Sequence, residues 1–442
     1  MLGIQHHAPS SKTKKKAGKI RLHKDYSTID DLFRCCLYLG SASQVRLRLA
    51  SFSARGLPEL KRKTAKVPWN EICSVDSVTN GTIDVRVVSS KSKLYHTGAI
   101  RERILQSINH HFGLPNETFG TKHGRRKGKS HKASKIKDRP AHDSFPAVLL
   151  DVHVSYDHVE IFLNAFPLPL HERGYRQQLA KAPLREDIAF SMLLTAGWKP
   201  SWSLGNETTQ DNEWQGLVDP FCGSGTIAIE GAAMMLGLPP GRFRYHSPFR
   251  GTLLQNSKKW STEVQQSIAA AAVKKHELGD NSFSISASDR DSGAVEATKA
   301  NAERAGVLEA IHVENAPLSD QRWFGTPSEA PHSLLIVTNP PFGKRVSSKS
   351  TSSTKGLLPL YQSLGKYVEC LSQKYKRRLC GIILTDNPGL WSRTGASFPF
   401  KTSFKTFHGG IKVSAMNFQF DCNRVYTIDS SLKSDDSKQQ QI

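Results

Sequence analysis

The chain has 442 residues, of which 38% are hydrophobic and 23% are charged, and its formal net charge is +22. This length predicts two or three domains, and the composition is typical of a globular protein. No run approaches the roughly 18–20 apolar residues that a membrane span needs, and the first residues lack the apolar core of a secretory signal. We therefore expect an intracellular, cytoplasmic protein, with the nucleus or an organelle as alternatives.

The seven cysteines are scattered and include no Cys-x-x-Cys pair. That spacing argues against a disulfide framework and against a structural zinc site. We expect a reducing compartment and no bound metal.

The positive charge is concentrated at the front of the chain. Residues 1–150 carry 29 lysines and arginines against 11 acidic residues. Such an excess indicates a polyanionic partner, nucleic acid first, although a basic solvated surface is the simpler alternative. The basic stretch 120–140 reads as a mobile insertion that could contact phosphates. Its candidate RNA-binding residues are Arg125, Arg126, Lys127 and Lys129.

Residues 1–28 and 431–442 are polar and are expected to be disordered tails. Between them, residues 82–90 alternate like a strand, and residues 97–113 have helical apolar spacing that ends at glycine. A hairpin is predicted around Tyr156–Asp157. Mixed elements of this kind predict a small α+β domain over residues 30–165.

Residues 166–200 are predicted to be a linker followed by a helix that starts at Pro183. From 201 to 430 the pattern alternates between strands and helices, which predicts an α/β domain with a parallel, doubly wound sheet. Ligands of such a sheet bind at the carboxyl ends of its strands. The predicted strands cover residues 216–220, 282–289, 311–315, 333–341 and 377–386, the helices cover 226–237, 292–306 and 360–375, and a final hairpin covers 413–429.

Residues 219–226 join the first of these strands to its helix through a Gly-Ser-Gly turn that follows an acid. Glycine allows a close backbone approach to a ligand, and the helix N-terminus offers free N–H groups to an anion. The segment matches neither a phosphate-binding loop nor the dinucleotide fingerprint. An acid with a short glycine turn suits a ligand that has both an ammonium group and a carboxylate, such as the methionyl part of S-adenosylmethionine. The candidate cofactor residues are Asp219, Pro220, Cys222, Gly223, Ser224, Gly225 and Thr226.

Asp289 ends the next predicted strand. A carboxylate in that place can accept hydrogen bonds from both hydroxyls of a ribose. It could also cap the following helix, but Asp291 is closer to that helix and is the better candidate for the cap. We therefore predict that Asp289 binds ribose.

The third candidate feature is the run Asn339, Pro340, Pro341 and Phe342 after the strand at 333–338. A base amine is a poor nucleophile because its lone pair is delocalised into the ring. The Asn339 side-chain carbonyl and a backbone carbonyl could accept its two hydrogens, while the prolines fix the geometry. Phe342 could stack on an extruded base. Direct methyl transfer needs neither a metal nor a covalent cysteine, so Cys222 reads as a packing residue.

Together these motifs resemble those of the large-subunit ribosomal RNA methyltransferase K/L-like family, the THUMP-domain guanine-N2 methyltransferases. The resemblance covers about residues 145–425. It lies in the cofactor motif at 219–232, the ribose motif at 287–291, the catalytic motif at 338–345 and the linker signature at 170–186. More loosely, residues 30–165 look like the THUMP region.

The resemblance implies a class I, Rossmann-like methyltransferase fold preceded by a smaller THUMP-like domain, with S-adenosylmethionine as cofactor. It implies a guanine amine of structured RNA as acceptor, in rRNA first and in tRNA as an alternative. The linker signature adds Arg173 and Arg176 as candidate RNA-binding residues. Where the family commonly has an acid that contacts adenine, this chain has Asn315, whose carbonyl can still accept from the adenine amino group.

Two further departures from the family pattern are expected to matter. The chain is expected to begin partway into the usual N-terminal region. Residues 120–140 and 346–355 read as insertions, and the second could act as a lid or be disordered.

Two other functions remain open from the residues alone. One is an N6-adenine methyltransferase acting on DNA or RNA, which would share the Asn-Pro-Pro-Phe chemistry. The other is an RNA-binding assembly factor that has lost catalysis.

Overall fold

The computed structural model describes residues 28–115, 147–178, 183–203, 214–278, 283–320, 333–342, 357–375, 378–393 and 399–420. The chain divides into two compact units. The first contains the described residues up to Gly174 together with Leu238–Ala270, and the second contains the remainder. The predicted tails and the insertions at 120–140 and 346–355 lie mainly or wholly outside the described residues.

The first unit is built on a four-stranded sheet flanked by helices. Its strands are β1 (Arg46–Ser53), β2 (Ile83–Ser90), β3 (Val148–Ser155) and β4 (His158–Asn164), in the order β1-β4-β3-β2. Its helices are α1 (Ile29–Tyr38), α2 (Leu57–Thr64), α3 (Trp69–Ile72), α4 (Val75–Thr79) and α5 (Thr97–His111). β2 pairs parallel with β3, and the other pairs are antiparallel. The predicted strand, helix and hairpin of this region are therefore confirmed, whereas its THUMP character stays a prediction.

Residues 238–270 pack with this first unit, although they follow the first helix of the predicted catalytic domain. Their aromatic side chains explain the packing. Phe249 and Trp260 are buried, and their rings lie 6.5 Å and 6.2 Å from the Phe33 ring of α1. The sequence predicted two continuous domains, 30–165 and 201–430, and gave no sign that residues 238–270 belong to the first unit. Their burial depends on contacts between residues more than 200 positions apart in the chain.

The second unit contains a seven-stranded sheet in the order β10-β11-β9-β8-β5-β6-β7. The strands are β5 (Gly216–Asp219), β6 (Ser284–Asp289), β7 (His312–Asn315), β8 (Ser333–Thr338), β9 (Arg378–Thr385), β10 (Phe400–His408) and β11 (Ile411–Phe420). The five strands β5 to β9 pair in parallel with one another, and β11 is antiparallel to both β9 and β10. This is the doubly wound α/β sheet that the sequence predicted.

Helices α6 (Glu186–Thr195), α7 (Thr226–Met235), α9 (Ser292–Ala305) and α10 (Leu358–Tyr375) belong to the second unit, while α8 (Ser257–Leu278) was not predicted. Asp291 caps α9 through the Gly293 N–H, as predicted, and Gly306 ends it in the left-handed conformation. The last hairpin turns at residues 409–410, between β10 and β11, upstream of the predicted one. Gly409 and Gly410 have positive φ and permit this turn. The residues predicted to start a later hairpin instead belong to β11, which continues to Phe420.

The strand order creates a switch point between β5 and β8. From β5 the chain moves outward to β6 and β7 and then returns to add β8 on the other side. Crevices in doubly wound sheets open at such a point, beyond the carboxyl ends of the strands. Asp219 and Thr338 are the last residues of β5 and β8, so both stand at this place.

Candidate active site

The glycine turn lies between β5 and α7, where the sequence predicted it. Gly223 and Gly225 have φ of +56° and +81°, which side-chain-bearing residues rarely adopt. A Cβ on Gly225 would lie 2.7 Å from Thr298 Cγ2. Glycine is therefore required at Gly225 by conformation and by space.

Asp289 braces this turn from the end of β6. Its Oδ2 accepts the Gly223 N–H at 3.1 Å, and its Oδ1 accepts the Asp291 N–H at 3.0 Å. Each carboxylate oxygen can accept a second hydrogen bond, so both remain able to receive a ribose hydroxyl. The predicted role of Asp289 and its observed bracing of the turn are compatible.

Side chains of α9 hold the same turn from below. Thr298 Oγ1 donates to the Gly223 carbonyl at 3.0 Å, and Asn301 Nδ2 donates to the Ser224 carbonyl at 3.0 Å. Asn301 Oδ1 also accepts the N–H groups of Gln177 and Gln178, each at 3.2 Å. Asn301 therefore fastens the glycine turn to the linker signature.

Sequence reasoning missed Thr298 and Asn301. Both are fully buried, although they are polar residues in a helix rich in alanine and charge. The available signal was their spacing of three residues, which places them on one helix face. Polar residues on a helix face are more often solvated, so this signal alone was weak.

Asp219 is buried at the end of β5 and is linked to Thr338, which directly precedes the candidate catalytic residues. Its Oδ1 accepts the Thr338 hydroxyl at 2.7 Å and the Phe221 N–H at 3.3 Å. Burial raises the pKa of Asp219 to about 7, although both hydrogen bonds act to lower it, and the nearby Asp289 raises it further. A cation placed next to this carboxyl would favour its ionised form.

Asn339 follows Thr338 directly. Its side-chain Oδ1 is buried and has no hydrogen-bond partner within the described residues. A buried acceptor without a donor is costly, and such atoms in a native protein call for a ligand or a bound water. The chemistry predicted for Asn339 requires an acceptor of this kind.

The prolines and Phe342 complete this segment. Pro340 is buried and Pro341 is exposed. The Phe342 ring is buried and lies 6.3 Å from the His408 ring at an angle of 76°. In this conformation the Phe342 ring exposes little of its face for stacking on a base and instead forms a wall of the site, packed against His408. The contact with His408 could not be seen from the sequence.

The remaining residues of the turn have mixed surroundings. Ser224 Oγ is buried and has no partner among the described residues, and Thr226 Oγ1 lies 3.5 Å from the Leu184 carbonyl. The Cys222 thiol is buried 3.5 Å from Thr298 Oγ1, and burial raises its pKa above the usual range. A thiol held in its neutral form is a poor nucleophile, which agrees with the packing role predicted for Cys222.

Asn315 ends β7 beside Asp289. Its Nδ2 donates to the Asp289 carbonyl at 2.9 Å. The side-chain carbonyl of Asn315 is then the group that could meet the adenine amino group, so the predicted role is compatible with the geometry.

Of the candidate RNA-binding residues, the structure describes Arg173 and Arg176. Arg125, Arg126, Lys127 and Lys129 lie outside the described residues. Arg173 is buried and donates to the carbonyls of Leu170 and Gly40. Arg176 donates to the Leu184 carbonyl and forms an ion pair of 3.0 Å with Glu186.

The sequence prediction for Arg173 and Arg176 thus meets a competing use of both guanidinium groups. Each satisfies acceptors inside its own unit, which gives it a structural role in this conformation. RNA contact by either residue stays a prediction.

Across the described ranges, no group of three or more His, Cys, Asp or Glu side chains is arranged to hold a metal ion. Among the helices that the structure describes, none is both long and apolar enough to cross a membrane.

Comparison with known proteins shows what this chain is similar to. Residues 173–388 match the family model described as the RMKL-like methyltransferase domain. Two similar curated proteins are both called ribosomal RNA large subunit methyltransferase K/L. The one from Syntrophotalea carbinolica is 27% identical over 91% of this chain and 50% of its own length. The one from Legionella pneumophila (strain Corby) is 32% identical over 57% of this chain and 31% of its own length.

Solved structures share the fold. SMU.472, solved in complex with SAH, superposes with a TM-score of 0.64 at 22% identity, over 90% of this chain and 89% of that one. TrmN from Thermus thermophilus gives a TM-score of 0.56 at 17% identity, over 90% and 88% of the two chains. At this identity they show the fold alone, which includes both units. The chain spans at most about half the length of these two curated relatives.

Proposed function

We propose that the chain is an S-adenosylmethionine-dependent methyltransferase acting on an exocyclic base amine of RNA, because residues 173–388 match the family model described as the RMKL-like methyltransferase domain. The observation that carries this proposal is the orphaned Asn339 Oδ1, which stands next to the buried pair of Thr338 and Asp219 at the switch point of the sheet. A buried acceptor there fits an amine donor brought by a substrate.

The residues present fit the cofactor. Ser224 Oγ is a buried polar atom without a partner among the described residues, and the positive end of α7 opens from the glycine turn. Asp219 would face the ammonium group, Asp289 the ribose hydroxyls and Asn315 the adenine. When bound, S-adenosylmethionine supplies an electrophilic methyl group on a sulfonium.

The chain itself contributes position and electrostatics. Asn339 Oδ1 accepts one hydrogen of the amine, and a backbone carbonyl of the same segment accepts the other. The two prolines hold these acceptors in one orientation, which favours a pyramidal nitrogen with its lone pair directed at the methyl group. Phe342, backed by His408, walls the site against water. Such fixed acceptors act without the reorganisation that water would need.

Guanine N2 of ribosomal RNA is the acceptor that we propose. The name of the similar curated proteins supports rRNA, and the motif resemblance supports the guanine amine. The excess of cations in residues 1–150 supports a polyanionic substrate.

Nucleoside mass spectrometry tests this proposal. The purified chain is incubated with isotopically labelled S-adenosylmethionine and with rRNA, tRNA or DNA in parallel. We expect the label in N2-methylguanosine from rRNA. Label only in N6-methyladenine, or only in DNA, would overturn the assignment of the acceptor. No label in any nucleic acid would favour the assembly factor without catalysis.

A further inference from the structure

One end of the sheet in the first unit carries exposed aromatic and basic side chains. Tyr156, in the turn between β3 and β4, is 68% exposed, and Tyr95, in the connection after β2, is 67% exposed. Lys91 Nζ lies 5.4 Å from the centroid of the Tyr156 ring. Lys93 and Arg55 are exposed at the same end. We call Arg55, Lys91, Lys93 and Tyr156 the sheet-end patch.

The backbone of this patch is strained. Lys91, Tyr156 and Asp157 have φ of +50°, +53° and +60°. Tyr156 and Asp157 are the two central residues of a two-residue hairpin turn, where Asn-Gly is the favoured pair. An aromatic residue in this left-handed position is sterically disfavoured, and strained residues concentrate at functional sites. A large ring is thus held at the tip where a small residue would be easier to accommodate.

Asp157 fixes the patch. Its Oδ1 accepts the Ser92 hydroxyl at 2.8 Å and the Lys93 N–H at 2.7 Å, and its Oδ2 lies 3.7 Å from Arg55 Nε. The backbone N–H of Lys93 is the main cause of a lowered pKa for Asp157, and the Ser92 hydroxyl comes second. The Asp157 carbonyl accepts the Ala54 N–H at 2.8 Å. The ends of β1 and β2 are therefore tied to the turn that carries Tyr156.

The charges of the patch select its partner. Asp157 is engaged with Arg55 and with two N–H or O–H donors, whereas neither Lys91 nor Lys93 forms an ion pair with another residue that the structure describes. Exposed aromatic rings flanked by cations bind single-stranded nucleic acid, since the ring stacks on a base and the cations meet phosphates. An acidic protein segment could pair with the lysines, but its carboxylates would not stack on the Tyr156 ring.

We propose that the sheet-end patch binds an unpaired stretch of the RNA substrate, with Tyr156 stacked on a base and Lys91 and Lys93 at adjacent phosphates. This inference rests on the proposed function, because it supplies that reaction with a second point of contact for the RNA. Because the turn already holds the Tyr156 ring in place, the binding free energy would not be reduced by the entropic cost of ordering that ring.

Binding of a fluorescent single-stranded oligouridylate to the full chain, followed by anisotropy, tests the proposal. Tyr156→Asn removes the ring and relieves the strained turn. We expect it to weaken binding by about tenfold, the effect of losing one stacked base, while the midpoint of thermal unfolding rises or stays unchanged. Tyr156→Phe should bind like the unmodified chain. Replacing both Lys91 and Lys93 by alanine should lower the salt slope by about one for each phosphate that is no longer neutralised.

The matched control is Tyr245→Ala, because Tyr245 is 79% exposed in the same unit but lies outside the patch. Equal affinities for Tyr156→Asn and Tyr245→Ala would overturn the proposal. A polyglutamate probe that loses affinity with Tyr156→Asn as strongly as the RNA does would also overturn it, in favour of an acidic protein partner. Methyl transfer to RNA by the unmodified chain is measured alongside, so that failure of the proposed function is distinguished from failure of the patch.

Discussion

The two units place their polar groups in opposite ways. At the carboxyl edge of the seven-stranded sheet, Asp219, Thr338 and Asn301 are buried, and each is bonded to a neighbouring segment. At the end of the four-stranded sheet, Tyr156 and Lys91 are exposed to solvent. Buried polar networks lose much when one partner is removed, whereas exposed charges are screened and contribute little singly. Changes in the second unit should therefore act on chemistry and folding, and changes at the sheet-end patch on RNA affinity and its salt dependence.

The largest effect is expected at Asn339. Asn339→Ala removes the buried acceptor of the amine, and we expect kcat to fall by about 10²–10³, the usual cost of losing one oriented group that stabilises a transition state. RNA affinity should change little, because the patch that we propose for RNA lies in the other unit. Steady-state transfer and RNA binding are measured on the same preparation. An unchanged kcat would exclude Asn339 as the catalytic acceptor.

The glycine turn gives the next effect. Gly225→Ala meets both the positive φ and the close Thr298 Cγ2, so we expect the free energy of unfolding to fall by about 2–4 kcal/mol. Gly306→Ala is the control, because Gly306 also has positive φ but a Cβ there would meet nothing within 4 Å. It should cost only about 1–2 kcal/mol. Urea denaturation measures both. Equal losses of unfolding free energy in the two variants would show that the contact with Thr298 does not restrict which residue position 225 can accept.

A substitution of Arg173 tests whether this buried linker arginine has a structural role. Arg173→Ala removes the donor to the Gly40 carbonyl and one of the two donors to the Leu170 carbonyl, which keeps Arg244, so we expect a loss of about 2 kcal/mol in the free energy of unfolding. The salt slope of RNA binding should not change. Arg86→Ala, at an exposed position on β2, should leave the free energy of unfolding nearly unchanged. A lower salt slope with unchanged stability would instead restore Arg173 as an RNA contact.

The smallest effect concerns pH. With the pKa of Asp219 near 7, ionised Asp219 is scarce below that pH, so affinity for the ammonium-bearing cofactor should rise as pH increases through about 7. Thr338→Val removes a donor that lowers this pKa. We expect it to shift the midpoint upward by about one pH unit or less, while Thr338→Ser keeps it. Calorimetric titrations across this pH range measure the midpoint. A downward shift would contradict the role of the Thr338 hydroxyl.

The same pKa has a consequence for stability. Because the folded-state pKa of Asp219 lies above its ordinary value of 3.8, folding favours the protonated form. The stabilisation is complete below 3.8 and is lost as pH rises through about 7. Asp219→Asn should remove this part of the pH dependence of the free energy of unfolding.

Much of the second unit could be predicted because its signals are local. An apolar run that ends in an acid and a glycine turn predicted β5 and α7, and similar runs predicted β6, α9 and β8. What the sequence could not show depends on distant pairs. Thr338 meets Asp219 from 119 positions away, and Phe249 and Trp260 bury against α1 only after the chain has left the second unit. Periodicity carries no information about such partners.

The sequence did not show the structural role of the linker arginines for a related reason. Arg173 and Arg176 stand in a basic, polar segment, and a cation in such a segment is usually solvated and available to phosphate. In the folded chain their donors are needed by carbonyls and by Glu186. Hydrogen-bond demand inside a fold can be seen only once the backbone groups are placed.

The central claim is that the edge formed by β5, β6 and β8 holds the cofactor and presents one acceptor to the amine. Calorimetric titration of S-adenosylhomocysteine into Asp289→Ala and Asn339→Ala, with methyl transfer measured on the same samples, tests it most directly. We expect Asp289→Ala to lose cofactor affinity, and Asn339→Ala to bind the cofactor like the unmodified chain but to lose transfer. Unaltered cofactor affinity in Asp289→Ala, or full transfer by Asn339→Ala, would contradict the account.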